Sequence, residues 1–447
     1  MSGHERKPLV PRLRFPEFKD EWRLLPMSAG YTFRGNNSLS RDKLNYTNGS
    51  YRNIHYGDIH TKFAQHFHAD AEPVPYINEG ESHSTIRPEN YCMAGDMVFA
   101  DASEDMADIG KAIEIIDAGD VPLVSGLHTI LARPNKGSMA LGFGAYLFSS
   151  EGLRKQIQRE AQGAKVLGLS ATRLGNVKLY YPSRLDEQKK IADCLSSLDE
   201  LITAETRKLD TLKTHKKGMM QQLFPCEGET VPRLRFPELR EAGEWEERAL
   251  FHYIASLDAG VSVNSGDRSA CNNEIGVLKT SCVSDGNFDA TENKVVQEPV
   301  EIARVKEPVC ANTIIISRMN TIALVGANAF IEKDIPNLFL PDRLWAAKST
   351  GRGNMRFLAY ILGSEGGRAA LSGLASGSSG TMKNIGKSEV LALQVTAPTI
   401  AEQEHIADCL SSLDDLITTQ SQKIDTLKTH KIGLMQQLFP ALDEVPA

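Results

Sequence analysis

The stretch IADCLSSLD stands at Ile191–Asp199 and again at Ile406–Asp414, 215 positions further on. The match is wider than nine residues: Glu187–Pro225 laid over Glu402–Pro440 agrees at 29 of 39 positions and ends both times in MQQLFP. A second echo, VPRLRFPE, stands at Val10–Glu17 and at Val231–Glu238. Internal repeats set the architecture before any local reading does. The chain therefore reads as two tandem units, each opening on VPRLRFPE and closing on the longer repeated segment.

That segment reads as a long helix. Its first copy has apolar residues at Ile191, Leu195, Leu198, Ile202, Leu209, Leu212, Met219 and Leu223, a heptad seam with steps of four and three. The second copy repeats it with Ile406, Leu410, Leu413, Ile417, Ile424, Leu427, Leu434 and Leu438. Polar residues interrupt each seam twice, Glu205 and Lys216 in the first, Gln420 and Lys431 in the second. Two similar units become equivalent about a pseudo-two-fold axis, which would lay the helices antiparallel. One register then sets Glu205 beside Lys431 and Lys216 beside Gln420, with Ile202 opposite Leu434, Leu209 opposite Leu427 and Leu212 opposite Ile424. The overlap in that register, from about Leu198 to Leu223, spans roughly 39 Å at ~1.5 Å per residue. The alternative is that each helix covers its own domain separately.

The length of 447 residues suggests two to four domains, and an apolar fraction of 41% with 24% charged residues suits a globular protein. No run approaches the ~20 apolar residues of a membrane span, and MSGHERKPLV lacks the apolar core of a signal peptide, so a cytoplasmic location without membrane contact is expected. Seven cysteines without a C-x-x-C read as reduced thiols.

A net charge of −7 gives no global signal for nucleic acid, so local patches matter. Arg154, Lys155, Arg159, Lys165, Arg173 and Lys178 cluster with one acid, Glu160. Arg343, Lys348, Arg352, Arg356, Arg368, Lys383 and Lys387 cluster with Glu365. A solvated surface would account for either alone. Both lie just upstream of the repeated helix, which favours a shared role.

Between the repeats lie about 170 residues per unit that diverge in sequence while keeping an outline. Apolar runs such as Asp96–Ala100 and Asn312–Ser317 predict strands. Helices are predicted over FGAYLFSSEGLRKQIQ from Phe143 and FLAYILGSEGGRAALSG from Phe357. Loops of small residues follow at Ala161–Gly175 and Ala375–Glu389, then a short strand and the long helix. One scaffold carrying two sets of loops suits two modules reading two targets. Candidate DNA-binding residues in the first unit are Arg34, Asn36, His55, Tyr56, Lys165, Ser170 and Arg173. In the second they are Lys279, Thr280, Arg318, Asn320, Arg343, Ser378, Ser379, Thr381, Met382 and Lys383. Small polar residues let backbone N–H groups approach phosphate, Arg suits guanine and Asn suits adenine.

Catalytic motifs are missing. IGKS at Ile385–Ser388 would put the first glycine of a P-loop on Thr381, and H-E-x-x-H, G-x-S-x-G and G-x-G-x-x-G do not occur. Nor does the D/N-P-P-F/Y tetrapeptide of amino-group methyltransferases. His60, His66 and His68 read as a polar loop in preference to a metal site. The chain reads as a protein that binds and positions, with no catalytic residue and no metal of its own.

These features resemble the specificity (S) subunit of type I restriction-modification enzymes. The resemblance rests on variable halves each followed by a near-identical helix that opens P-x-x-x-E-Q-x-x-I-A, here PSRLDEQKKIADCL and PTIAEQEHIADCL. LSRDKLNYTNGSYRNIHYGDI, SRMNT, LPDRLW and SGTMKNI are similar to the family's target-recognition domains. The resemblance implies an α+β fold of two mixed α/β target-recognition domains separated by two long helices in an antiparallel coiled coil. The expected division is residues 1–184, recognition domain 1; 185–225, helix 1; 226–399, linker and recognition domain 2; and 400–447, helix 2 with a tail. The implied partners are double-stranded DNA, two methyltransferase subunits and motor-nuclease subunits. S-adenosylmethionine, ATP and magnesium would be bound by those partners, and no cofactor by this chain. Lys208, Lys213, Lys423 and Lys428 on the outer helix faces are candidate docking residues. Still open are a specificity subunit of another DNA-modifying defence system, a non-DNA scaffold on a coiled coil, and a self-contained methyltransferase or nuclease.

Overall fold

Two helices of 39 residues, α1 (Leu185–Leu223) and α2 (Ile400–Leu438), carry the repeated segment. The computed structural model describes residues 10–81, 86–226, 228–271, 273–284, 286–376 and 382–440. Its contacts define a first unit, residues up to Thr206 together with those from Gln422 on, and a second unit, Arg207–Ser421.

The first unit is built on a five-stranded sheet. Its strands are β1 (Tyr31–Arg34), β2 (His66–His68), β3 (Met97–Ala100), β4 (Ala112–Asp117) and β5 (Thr129–Pro134), ordered β1-β5-β3-β4-β2. All pairs are antiparallel except β4 with β2. The second unit has four strands, β6 (Ile254–Ala259), β7 (Thr313–Ser317), β8 (Asn328–Ile331) and β9 (Leu344–Ser349), ordered β6-β9-β7-β8 and all antiparallel. The predicted strands are thus the centres of their sheets, and every residue of β3 and β7 is buried. Continuous apolar runs without alternation are what strands covered on both faces require. A smaller four-stranded sheet accompanies each central one. In each unit a two-stranded ladder, Trp22–Pro26 with Lys178–Pro182 or Glu246–Ala249 with Gln394–Ala397, joins the start of the domain to the strand before the long helix.

The repeated motifs occur together because they grip each other. In the first unit Arg14 Nε donates to Glu187 Oε1 at 2.7 Å and Arg14 Nη2 to Oε2 at 2.8 Å, beside the first turn of α1. In the second, Arg235 Nε and Nη2 reach Glu402 at 2.8 and 2.6 Å, beside the first turn of α2. Both carboxylates are buried. The glutamine that follows ties the helix to its domain. Gln188 Oε1 accepts from Ala140 N–H at 2.7 Å and its Nε2 donates to Pro182 O at 2.9 Å; Gln403 does the same with Asn354 N–H and Pro398 O, both at 2.9 Å. The MQQLFP ending fills cores. Leu438 and Phe439 close on Trp22 and Phe143 in the first unit, while Leu223 and Phe224 close on Trp245 and Phe357 in the second.

Within each unit the two helices run antiparallel, in a register that differs from the sequence expectation. Lys431 Nζ meets Asp199 at 2.5 Å and Lys423 Nζ meets Glu205 at 2.5 Å in the first unit. In the second, Lys216 Nζ meets Asp414 at 2.5 Å. The ion pairs of Lys431 and Lys216 are thus made with Asp199 and Asp414, each six residues before the expected partner. The physical reason lies outside the seam. Asp199 also accepts from Tyr146 Oη at 2.8 Å, and Lys431 lies over the Tyr146 ring, 5.4 Å from its centroid. Asp414, Tyr360 and Lys216 repeat this at 2.7 Å and 5.2 Å. Burial, then the bonded aspartate, raises both phenols well above their ordinary range, so they remain donors. Ile191, Leu195 and Leu438 share one core with Trp22 and Phe143.

Two predicted helices are broken. Phe143–Ser149 and Glu151–Glu160 are separated by the extended residue Ser150, and Met355–Gly363 and Glu365–Gly373 by Ser364. The serine before Glu-Gly ends one helix and begins the next. Ser150 Oγ and Ser364 Oγ donate back to Leu147 O and Ile361 O, and Ser364 Oγ accepts from Gly367 N–H at 3.1 Å. The small-residue loops also carry structure: Leu167–Gly168 and Lys383–Asn384 are strands, Ala171–Asn176 and Lys387–Ala392 short helices.

Candidate nucleic-acid interface

The candidate surface is best defined by what surrounds the C-terminal ends of β3 and β7. Asp101 follows β3 and Arg318 follows β7. Asp101 N–H donates to His128 O and Arg318 N–H to Arg343 O, each at 3.0 Å, and His128 and Arg343 immediately precede β5 and β9. The next residues form a two-residue ladder with the small-residue loop, Ala102–Ser103 with Leu167–Gly168 and Met319–Asn320 with Lys383–Asn384. The loop after each central strand turns back at a glycine with positive φ, Gly110 at 65° and Gly326 at 76°. A Cβ there would come within 2.4 Å of Ile157 or 2.7 Å of Leu371, so conformation and space both require glycine. A third segment packs against the same strand, the turn His55–Thr61 in the first unit and Lys279–Val283 in the second.

Several expected residues meet here. In the second unit Arg318, Asn320, Arg343 and Lys383 converge, with Asn320 opposite Lys383 in the ladder. Arg318 lies over the buried Trp345 ring, its Cζ 5.7 Å from the centroid, and Lys387 approaches that ring at 6.0 Å. Met382 adjoins Lys383; Ser378, Ser379 and Thr381 lie outside the described residues. Lys279 and Thr280 stand on their turn, with Lys279 Nζ 3.6 Å from Glu292. In the first unit Tyr56 stacks its edge against His128 at 5.3 Å, and Ser170 caps the helix Ala171–Asn176 next to Leu169, whose N–H donates to Asp101 O at 2.8 Å. Lys165 and Arg34 are exposed.

Other expected residues make hydrogen bonds within the first unit. Asn36 Nδ2 donates to Gly126 O at 3.3 Å and Thr129 O at 2.8 Å, holding the turn into β5. Arg173 Nη1 donates to Glu160 O at 3.2 Å. His55 is buried, and its Nδ1 accepts from Gly57 N–H at 3.1 Å, capping Tyr56–Thr61. Burial, then the Arg41 guanidinium, pushes the imidazole down to about 4. A histidine lowered on folding contributes stability that is present above its unfolded value near 6.5 and lost as pH falls toward 4. Parent protein is therefore expected to lose about 2 kcal/mol of first-unit stability over that window beyond the loss in His55→Asn, which caps without titrating. Denaturant unfolding of both proteins from pH 7 to 4 measures this, and parallel curves would contradict it.

Part of each basic patch is engaged within the protein. Arg154 Nη2 donates to Ala107 O and Ile109 O, both at 2.8 Å, and burial lowers its pKa. Arg368 Nη2 donates to Ala323 O at 2.9 Å. Both arginines anchor the loop after the central strand from the following helix. Lys155 pairs with Glu151, Lys348 with Asp258 and Glu307, and Arg356 with Glu332.

Asp101 and His128 stand at this surface and were not among the expected residues, whereas Trp345 closes the stretch LPDRLW named above. His128 Nδ1 lies 3.2 Å from Asp101 Oδ1, and its backbone is left-handed at φ 56°. Such strain persists in a non-glycine residue only where its surroundings dictate it. His60 Nε2 reaches Ala102 O and His66 Nε2 reaches Gly142 O. Among the described residues no group of three or more His, Cys, Asp or Glu side chains is placed to hold a metal ion, and no helix is long and apolar enough to cross a membrane.

Residues 68–214 match the family model described as the type I restriction modification DNA specificity domain. The chain is similar to two Methanocaldococcus jannaschii proteins named as type I restriction enzyme specificity subunits. It is 24% identical to MjaX over 359 residues, 77% of each chain, and 26% identical to MjaVIII over 306 residues, 66% of this chain and 69% of the relative. Its fold is similar to the solved S subunit of a type I restriction-modification system from M. genitalium, with TM-score 0.57 and 13% identity over 97% of this chain and 99% of that one. It is also similar to a chain solved in work on complex assembly and conformational transition of the type I R-M system, with TM-score 0.55 and 13% identity over 94% and 98%. The resemblance drawn from the repeats and the expected fold class are both borne out.

Proposed function

We propose that this chain, a relative of the type I restriction-modification specificity subunits that carries their DNA specificity domain, is a non-catalytic subunit reading a bipartite, asymmetric DNA site. Each unit would read one half-site with the loops at the end of its central strand. The observation that carries this reading is one backbone arrangement built twice with different side chains on it, Asp101 and His128 against Arg318 and Arg343. A module reading three or four base pairs gains ~1–3 kcal/mol of discrimination per mismatch, and joining two multiplies their selectivity. The long helices, each with residues in both units, would fix the gap between half-sites. Two methyltransferase subunits would dock for adenine modification and motor-nuclease subunits for cleavage, bringing S-adenosylmethionine, ATP and magnesium with them. Such an assembly would work in the cytoplasm.

Mapping modified adenines across the host genome, with and without this chain, tests the reading. A single motif of two unlike halves around a fixed gap is expected to vanish with the chain. Modification that persists unchanged would contradict it, and would favour a scaffold without DNA.

A further inference from the structure

Where the two units share their backbone most closely, their side chains are opposite in charge. The clasp of Asp101 to His128 and that of Arg318 to Arg343 are the same bond. The carbonyls continue alike, accepting from Leu169 N–H at 2.8 Å and from Ile385 N–H at 3.0 Å. Yet the loop from Asp101 to Gly110 carries four acids, Asp101, Glu104, Asp105 and Asp108, and no base, whereas the loop from Arg318 to Gly326 carries Arg318 and no acid.

The supports differ to match. Arg318 lies on Trp345, and its Nε is buried without a hydrogen-bond partner among the described residues. A guanidinium held against a ring keeps its fork in one plane, the geometry that meets two acceptors side by side. Asp101 is steadied by His128, whose own ring is braced by the edge of Tyr56. Asp101 Oδ1 faces the imidazole, and among the described residues no hydrogen bond engages Oδ2, which is left to accept. A carboxylate repels the acceptor edge of guanine and suits an exocyclic amino group.

We infer that this shared position sets the difference between the half-sites: Arg318 takes the O6 and N7 edge of a guanine, and Asp101 takes the amino group of a cytosine or adenine. The inference rests on the DNA-reading function proposed above and assigns base chemistry to one place in each unit. Acid in the first unit is then part of the reading surface and not a flaw in a basic one.

The test uses the assembly carrying the full-length chain, purified from its host, selecting from random DNA duplexes at one salt concentration. Arg318→Gln is expected to reduce selection for one guanine in one half-site about tenfold or more while leaving the other half intact. Arg318→Lys, which keeps charge and bulk without the planar fork, guards against loss of folding and should bind with its preference for the same guanine weakened. Asp101→Ala should relax one position in the other half-site only. Unchanged preferences in Arg318→Lys and Asp101→Ala overturn the inference, as does an equal change in both halves. If the parent assembly selects no sequence, the DNA-reading function itself fails and takes the inference with it, an outcome visible without any variant.

Discussion

Replacing Arg14 with alanine is expected to destabilise the first unit by about 3 kcal/mol, and Arg235→Ala to do the same to the second. The estimate follows from leaving one carboxylate buried without its partner. Glu187 and Glu402 are each 1% exposed, and each takes both forks of its arginine at the first turn of a long helix. Arg235 is raised above its ordinary range mainly by that bond. Removing a single member of such a pair costs more than the pair contributes, because the remaining charge stays desolvated. Hydrogen exchange on the two variants should show faster opening in the unit that was changed. Loss below 1 kcal/mol would mean water reaches the carboxylate and the clasp is ornamental.

Reversing a seam charge is expected to have the second largest effect. Lys216→Glu would face Asp414, with both native side chains 19% exposed, and should cost about 2 kcal/mol in the second unit. Asp414→Lys on that background should recover most of it, less the bond from Tyr360. The double-mutant cycle separates this register from its alternative, since the displaced pairing would answer to a change at Gln420. Recovery through residue 420 and none through residue 414 would show the register to be wrong.

The parts of the fold that are legible in sequence are those fixed by periodicity. The doubled heptad seam yields two antiparallel helices, and the unbroken apolar runs at Met97–Ala100 and Thr313–Ser317 yield the central strands. Register was beyond reach because a heptad pattern looks the same after a slip of about one repeat. Asp199, Asp414 and two tyrosines from distant helices decide it, and none of them lies on the seam. The break at Ser150 and Ser364 depends on a hydroxyl choosing cap over helix, a local competition that apolar spacing does not register.

The candidate site divides in the same way. Arg318, Asn320, Arg343 and Lys383 could be named as polar loop residues, and the sheet brings them together. Arg154 and Arg368 count toward the basic patches in sequence because charge is visible there while the carbonyls that engage it are not. Asp101 and His128 were invisible for the opposite reason: they meet only through strand pairing, and an acid counts against nucleic-acid binding until its partner is known.

The central claim is that the units read independently. Its most direct measurement is adenine-methylation mapping of a chain in which residues 376–388 are replaced by a different loop. Change or loss of one half of the recognised site, with the other half and the gap intact, is the predicted result. Equal alteration of both halves would contradict it.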